Sequence, residues 1–231
     1  MMQTAMILAA GRGTRLPEWT AHTPKPLVPV GGVPVIEHTL ARLAAFGVER
    51  VVINTHHLGE KLVEALGDGA RFGVRIVWSP EEDLLETGGG VRNALPLLGD
   101  APVLCVNGDI LWDLDLGELI AGFDAQKMDA RLGLVANPPD GGGDFLLQAD
   151  GRLLRGRGAT GALTYSGVQI LRPQALAAYV IEPFSLNRLY DDALASGRLF
   201  GAPLNGLWAD IGSAQRLQRA ETLLDAWRAR A

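Results

Sequence analysis

The sequence predicts an α/β fold built on a doubly wound, mostly parallel sheet, and three observations carry that reading. Apolar, β-rich runs recur at 4–9, 50–54, 74–78 and 102–107. Helical patterns fall between them, at Pro34–Phe46, Leu58–Leu66 and Gly89–Leu98. A glycine turn, Gly11-Arg12-Gly13, follows the first run directly. Strand–helix alternation of this kind implies parallel strands joined by crossover helices. Ligands in such sheets bind beyond the carboxyl ends of the strands.

The first strand, Thr4–Ala9, feeds Leu8-Ala9-Ala10-Gly11-Arg12-Gly13-Thr14-Arg15-Leu16. Backbone N–H groups of such a turn are free to face an anion, and Gly11 and Gly13 allow close approach. Arg15 and the lysine of Pro24-Lys25-Pro26 add two positive charges. The flanking prolines fix φ and stiffen the segment that presents Lys25. Loop and Pro-Lys-Pro together point to a nucleoside triphosphate site. Pro34 suits a first helical position and Gly47 a helix stop. Glu86-Thr87-Gly88-Gly89-Gly90 enters the next helix, where three glycines suggest a tight approach to a flat ligand. The run Val103–Val106 ends in Asn107-Gly108-Asp109. A carboxylate there, beside phosphates, is a natural magnesium ligand, although an aspartate in that place can also cap a helix.

From about residue 130 the pattern changes. Arg131–Ala136 reads as a strand and Pro138–Gly143 as a loop. Phe145–Gln148 and Arg152–Leu154 read as a hairpin around Asp150-Gly151. Ala162–Leu171 is a further strand, followed by helices near 173–180 and 184–196 and a last helix over Ala214–Arg228. No repeat or linker interrupts the chain, so residues 1–231 are expected to form one unit. Its halves divide at about 1–130 and 131–231, the second lying over the first.

The 231 residues carry a net charge of −5, which argues against a general nucleic-acid binder. Hydrophobic residues make up 48%, yet no long apolar run or secretory pattern occurs, so a cytoplasmic protein without a membrane partner is expected. The single cysteine, Cys105, lies inside an apolar strand and reads as core. Asp113 and Asp115 read as surface or helix-start residues. The histidines show no metal-ligand spacing.

The loop and Pro24-Lys25-Pro26 resemble the signature of the sugar-1-phosphate nucleotidyltransferase family. The resemblance extends through Asn107-Gly108-Asp109 to Trp208-Ala209-Asp210-Ile211-Gly212-Ser213, nearly the whole chain. It looks most like the short bacterial enzymes that make UDP-N-acetylmuramic acid. The resemblance implies a Rossmann-like sheet with a smaller, β-rich, sugar-binding lobe. It implies a nucleoside triphosphate and a sugar 1-phosphate as partners, a magnesium cofactor, and a place in cell-wall sugar recycling. Ala10, Gly11, Gly13, Thr14, Arg15 and Lys25 would bind the triphosphate, with Arg15 on the leaving pyrophosphate and Lys25 on the sugar phosphate or α-phosphate. Glu81, Glu86, Thr87 and Gly88 would meet base and ribose. Asn107, Gly143, Asp144, Ser166 and Glu182 would line the sugar site. Asp210 would join Asp109 on the metal. The oligomeric state stays open, with a monomer as the working expectation.

The chain departs from the family where Pro17-Glu18-Trp19-Thr20 follows Leu16, with proline one place early. The Glu-Lys-Pro element of many relatives is absent, as in the short muramic-acid enzymes, and no appended β-helix follows. Mannose-1-phosphate guanylyltransferase is the nearest rival reading, and CMP transfer to an alcohol phosphate such as phosphocholine a more distant one. A non-catalytic nucleotide-binding subunit would be expected to lack Arg15, Lys25 or an aspartate, and all are present. A dinucleotide oxidoreductase would want glycine where Leu16 stands.

Overall fold

A computed structural model describes residues 2–229. The chain opens with β1 (Thr4–Leu8), passes a one-turn helix α1 (Pro17–Thr20), and makes a small hairpin of β2 (Pro29–Val30) and β3 (Val33–Pro34) before α2 (Val35–Ala45). Strands and helices then alternate through β4 (Arg50–Thr55), α3 (Gly59–Leu66), β5 (Arg75–Pro80), α4 (Glu86–Leu98) and β6 (Val103–Asn107). Next come β7 (Ile110–Leu114), α5 (Gly117–Ala121), β8 (Ala130–Val135) and the hairpin of β9 (Phe145–Leu147) and β10 (Leu153–Arg155). The remainder is β11 (Thr164–Leu171), α6 (Asn187–Ala195), β12 (Leu199–Pro203), β13 (Gly206–Asp210) and α7 (Ala214–Arg228).

Among the described residues, seven strands form the main sheet in the order β12-β8-β11-β6-β1-β4-β5. Only β11 runs against the others, so the sheet is mostly parallel. Side chains alternate between its faces, as the pleat requires. Ala5, Ile7, Ile53 and Val106 meet Ile36, Leu40 and Leu43 of α2 on one face. Met6, Val52 and Cys105 meet Val91 and Ala94 of α4 on the other. Burial on both faces explains why these strands read as continuous apolar runs.

The second half differs from a layer lying over the first. Its strands β8, β11 and β12 extend the main sheet beyond β6, while β9–β10 is a separate ribbon tied to it by single bridges, Phe145 to Leu163 and Arg152 to Phe200. Strands β12, β2, β3 and the β7–β13 ribbon are additions to the sequence reading. The expected helix at 173–180 is a single 3₁₀ turn, Pro173–Leu176. Pro34 precedes the helix instead of starting it, because it is extended (φ −48°, ψ 133°) and pairs with Pro29. Asp113 is likewise corrected: it lies on β7, ion-paired to Arg42 and accepting a 3.1 Å bond from Trp227 Nε1 of α7. Asp115 lies just before α5, its Oδ1 accepting from Gly117 N at 2.8 Å. Helix α7 buries Leu217, Ala220 and Leu224 against Val28, Val30 and Leu207, which fixes it beside β13.

Candidate active site

The loop after β1 is held from three directions. Asn54, at the end of β4, accepts from Ala9 N at 2.8 Å and donates to Glu81 Oε1 at 2.7 Å. The other Glu81 oxygen accepts from Leu85 N at 2.9 Å. Glu81 is therefore a buried strut behind the loop and does not reach the cavity, contrary to its expected place on the base. Gly13 adopts φ +65°, and an added Cβ would lie 2.7 Å from the Thr20 methyl. The Thr20 hydroxyl in turn lies 3.0 Å from the Gly13 carbonyl and 2.8 Å from that of Leu16. The early proline fits because Pro17 opens α1, where a missing N–H costs nothing.

This loop walls a cavity of ≈ 450 Å³ at the carboxyl ends of β1, β4 and β6. Ala10, Gly11, Gly13, Thr14, Arg15 and Lys25 all line it. Glu86, Thr87, Asn107 and Asp109 line it from the other side. Glu86 sits at φ +59°, a costly conformation for a residue with a side chain, and such strain concentrates at functional sites. The Lys25 side chain is only 9% exposed, and its ammonium lies 2.5 Å from Asp109 Oδ2.

The glycine run has a different reason from the one the sequence suggested. A Cβ at Gly88 would strike the Phe184 ring, and one at Gly89 would strike the Glu182 carbonyl oxygen. A Cβ at Gly90 would lie 2.7 Å from both Asn54 Nδ2 and Glu81 Oε1. These glycines admit neighbouring protein. Gly88 accordingly lies outside the cavity, its N–H bonded to Phe184 O at 2.8 Å.

Asp109 and Asp210 are brought together by the β7–β13 ribbon. Asp210 pairs with Ile110, and Ile211 N donates to the Asp109 carbonyl at 3.0 Å. The Asp210 carboxylate accepts from Gly212 N at 2.9 Å and from Arg216 Nη1 at 3.0 and 2.9 Å. Arg216 also donates to Asp140 at 2.7 Å. Its bonds to Asp210 and Asp140 push the guanidinium pKa up, and Arg216 holds the Asp140 carboxyl below its usual range. A Cβ on Gly212 would lie 2.7 Å from Asp210 Oδ1 and 3.5 Å from Arg15 Nη1, so Arg15 reaches this corner.

A second cavity of ≈ 250 Å³ shares Thr87, Asn107 and Ser185 with the first. Tyr165, Tyr190 and Phe145 line it in edge-to-face contact, with centroids 6.1 and 6.4 Å apart. Burial raises the pKa of both tyrosines, which therefore stay protonated. Asp144 lines this cavity, with one oxygen accepting from Tyr165 N at 2.9 Å. Gly143 (φ +72°), expected here too, is not among the lining residues of either cavity; it precedes Asp144, and an added Cβ would strike Ala162. Two further expected sugar residues also lie elsewhere. Ser166 is fully buried in β11, its hydroxyl donating to Gly133 O at 2.8 Å. The Glu182 carboxylate is paired with Arg188 at 3.0 Å, outside both cavities. Asn54, Ser185 and Arg216 were missed in the sequence. The position of Asn54 at a strand's carboxyl end was the available signal for it.

The sequence pattern of the nucleotidyl transferase family matches residues 4–141, which contain the loop, Lys25 and Asp109. The chain belongs to that family. This nucleotidyl transferase is 42% identical to the N-acetylmuramate alpha-1-phosphate uridylyltransferase of Neisseria meningitidis, over 97% of the chain and 99% of that protein. It is 39% identical to the enzyme of the same name from Caulobacter vibrioides, over 95% and 96%. A mannose-1-phosphate guanylyltransferase of Mycobacterium tuberculosis is 37% identical over 57% of the chain and 36% of that protein. Among solved structures, HddC from Yersinia pseudotuberculosis complexed with GMP-PN has a TM-score of 0.82 at 23% identity. It covers 96% of the chain and 100% of its own, a likeness of fold.

Proposed function

We propose that the protein transfers UMP from UTP to N-acetylmuramic acid 1-phosphate, releasing pyrophosphate. The carrying observation is near-complete alignment with two relatives of that named activity, at 42% and 39% identity, combined with a loop cavity that shares Thr87, Asn107 and Ser185 with a second one. The two cavities suit a triphosphate and a sugar whose phosphate lies at their shared wall.

In this reading an oxygen of the sugar phosphate attacks the α-phosphorus of UTP. The bond from that phosphorus to the β-phosphate bridging oxygen breaks, and pyrophosphate carries the electron pair away. The attacking oxygen is already ionised, so no general base is required. Catalysis then rests on positioning and on charge neutralisation. N–H groups of Ala10–Thr14 cradle the triphosphate, and Arg15 meets charge developing on the leaving pyrophosphate. Lys25, fixed by Asp109, neutralises repulsion between sugar phosphate and α-phosphate. Glu86 and Thr87 face the nucleoside.

Asp109 and Asp210 fit a small hard cation such as Mg²⁺: two carboxylates, 32% and 21% exposed, are anchored on adjoining backbone. Bound there, Mg²⁺ would supply Lewis-acid charge stabilisation to the phosphates. Lys25 and Arg216 balance these carboxylates when no cation is bound.

The test is pyrophosphate release with magnesium, crossing UTP, GTP, CTP and dTTP with the 1-phosphates of N-acetylmuramic acid, mannose, glucose and N-acetylglucosamine. A preference for UTP with N-acetylmuramic acid 1-phosphate is expected. A preference for GTP with mannose 1-phosphate would overturn the substrate assignment.

A further inference from the structure

The second cavity contains one cation, Arg155, among its lining side chains. Arg155 ends β10 and belongs to the part of that cavity not shared with the triphosphate site. Its guanidinium is oriented by neighbouring groups, although the side chain is 40% exposed. Nε and Nη2 donate to Asp191 Oδ1 at 3.0 and 2.7 Å, and Nη1 donates to Asn187 Oδ1 at 3.0 Å. The group also lies over the Phe145 ring, 4.9 Å from its centroid. These bonds leave a second Nη1 N–H to face a ligand. Asp144 is the one carboxylate among the lining residues, and one of its oxygens is occupied by Tyr165 N. Asp191 is 64% exposed, so water weakens its hold on the guanidinium charge.

We infer that Arg155 selects a sugar 1-phosphate bearing a second, carboxylic acid group away from the anomeric phosphate. The inference rests on the proposed function, whose sugar carries a lactyl carboxylate that N-acetylglucosamine lacks. The phosphates are already met by Lys25 and Arg15 in the other cavity. A permanently charged group with one N–H left over, oriented in advance, favours a carboxylate through a single charge-assisted bond, and a neutral sugar gains little from it. The alternative role for Arg155 is a tie from the β9–β10 hairpin to α6.

The experiment compares kcat/KM with UTP for N-acetylmuramic acid 1-phosphate and N-acetylglucosamine 1-phosphate. It uses wild type, Arg155→Gln, Arg155→Lys and Asp191→Asn, with thermal melting to check folding. Arg155→Gln is expected to lose about 10- to 100-fold with the acidic sugar, as for a charged hydrogen bond, while the neutral sugar stays near its wild-type value. Arg155→Lys should retain part of the preference. Asp191→Asn, which removes the competing negative charge while keeping an acceptor for the guanidinium, should retain it. Equal losses on both sugars in Arg155→Gln, no loss on either, or the same losses in Asp191→Asn, would overturn the inference alone. A wild type that prefers the neutral sugar would overturn the proposed function and this inference with it.

Discussion

Replacing Lys25 by methionine separates the chemistry of the site from its stability. The substitution keeps the volume of a side chain that is 9% exposed and removes its charge. An ammonium about 4 Å from a phosphate charge contributes about 4 kcal/mol at an effective dielectric near 20. Losing that in the transition state lowers kcat/KM by roughly a thousandfold. The folding cost is far smaller. Asp109 is 32% exposed and can hydrate when its partner is gone, so the lost pair costs about 1 kcal/mol and roughly 2–4 °C in Tm. Steady-state pyrophosphate release and calorimetry on the same preparation check both numbers. Turnover within tenfold of wild type would refute the role given to Lys25.

Further outcomes follow from the same contacts. A Cβ at Gly11 meets nothing within 4 Å, whereas one at Gly89 strikes the Glu182 carbonyl. Gly11→Ala should therefore keep its Tm and raise the KM for nucleotide, while Gly89→Ala should lose about 1–3 kcal/mol of stability in urea titration. Asn54→Ala strips Ala9 N–H and Glu81 of a buried partner and should cost about 2 kcal/mol, with a rise in KM as the loop loosens. Burial pushes the Cys105 thiol up to about 12. The folded protein should then resist thiol-specific reagents at pH 8, where roughly one thiol in ten thousand is ionised, and react fully once unfolded. Because the unfolded thiol ionises from about pH 8.5 and the folded one does not, its contribution to stability declines as pH rises from there towards 12. Rapid labelling of native protein at pH 8 would contradict this.

What could be read from the sequence was local. The first strand, its glycine loop, Arg15 and Lys25 lie within a few residues of one another, and Asp109 ends an apolar strand whose burial on both faces is written in its composition. Asp210 could be joined to Asp109 only by resemblance, because their closeness depends on the antiparallel pairing of β7 with β13, short strands almost a hundred residues apart in the chain. The glycines of α4 misled for a related reason: what approaches them is the chain at 182–184 and the Asn54–Glu81 pair, distant in sequence. Ser166 likewise looked available on a strand, yet the antiparallel pairing of β11 buries it against Gly133. Residues whose role is set by long-range register are the ones a single sequence hides.

The central claim is that the β1 loop and the paired aspartates form one nucleotide site. A crystal structure with a non-hydrolysable UTP analogue and Mn²⁺, the metal located by anomalous scattering, tests it most directly. The account predicts the triphosphate along Ala10–Arg15, the uracil near Glu86 and Thr87, and manganese contacting Asp109 and Asp210 after Arg216 has released the latter. Nucleotide bound away from this loop, or manganese held by other residues while Asp210 stays with Arg216, would contradict it.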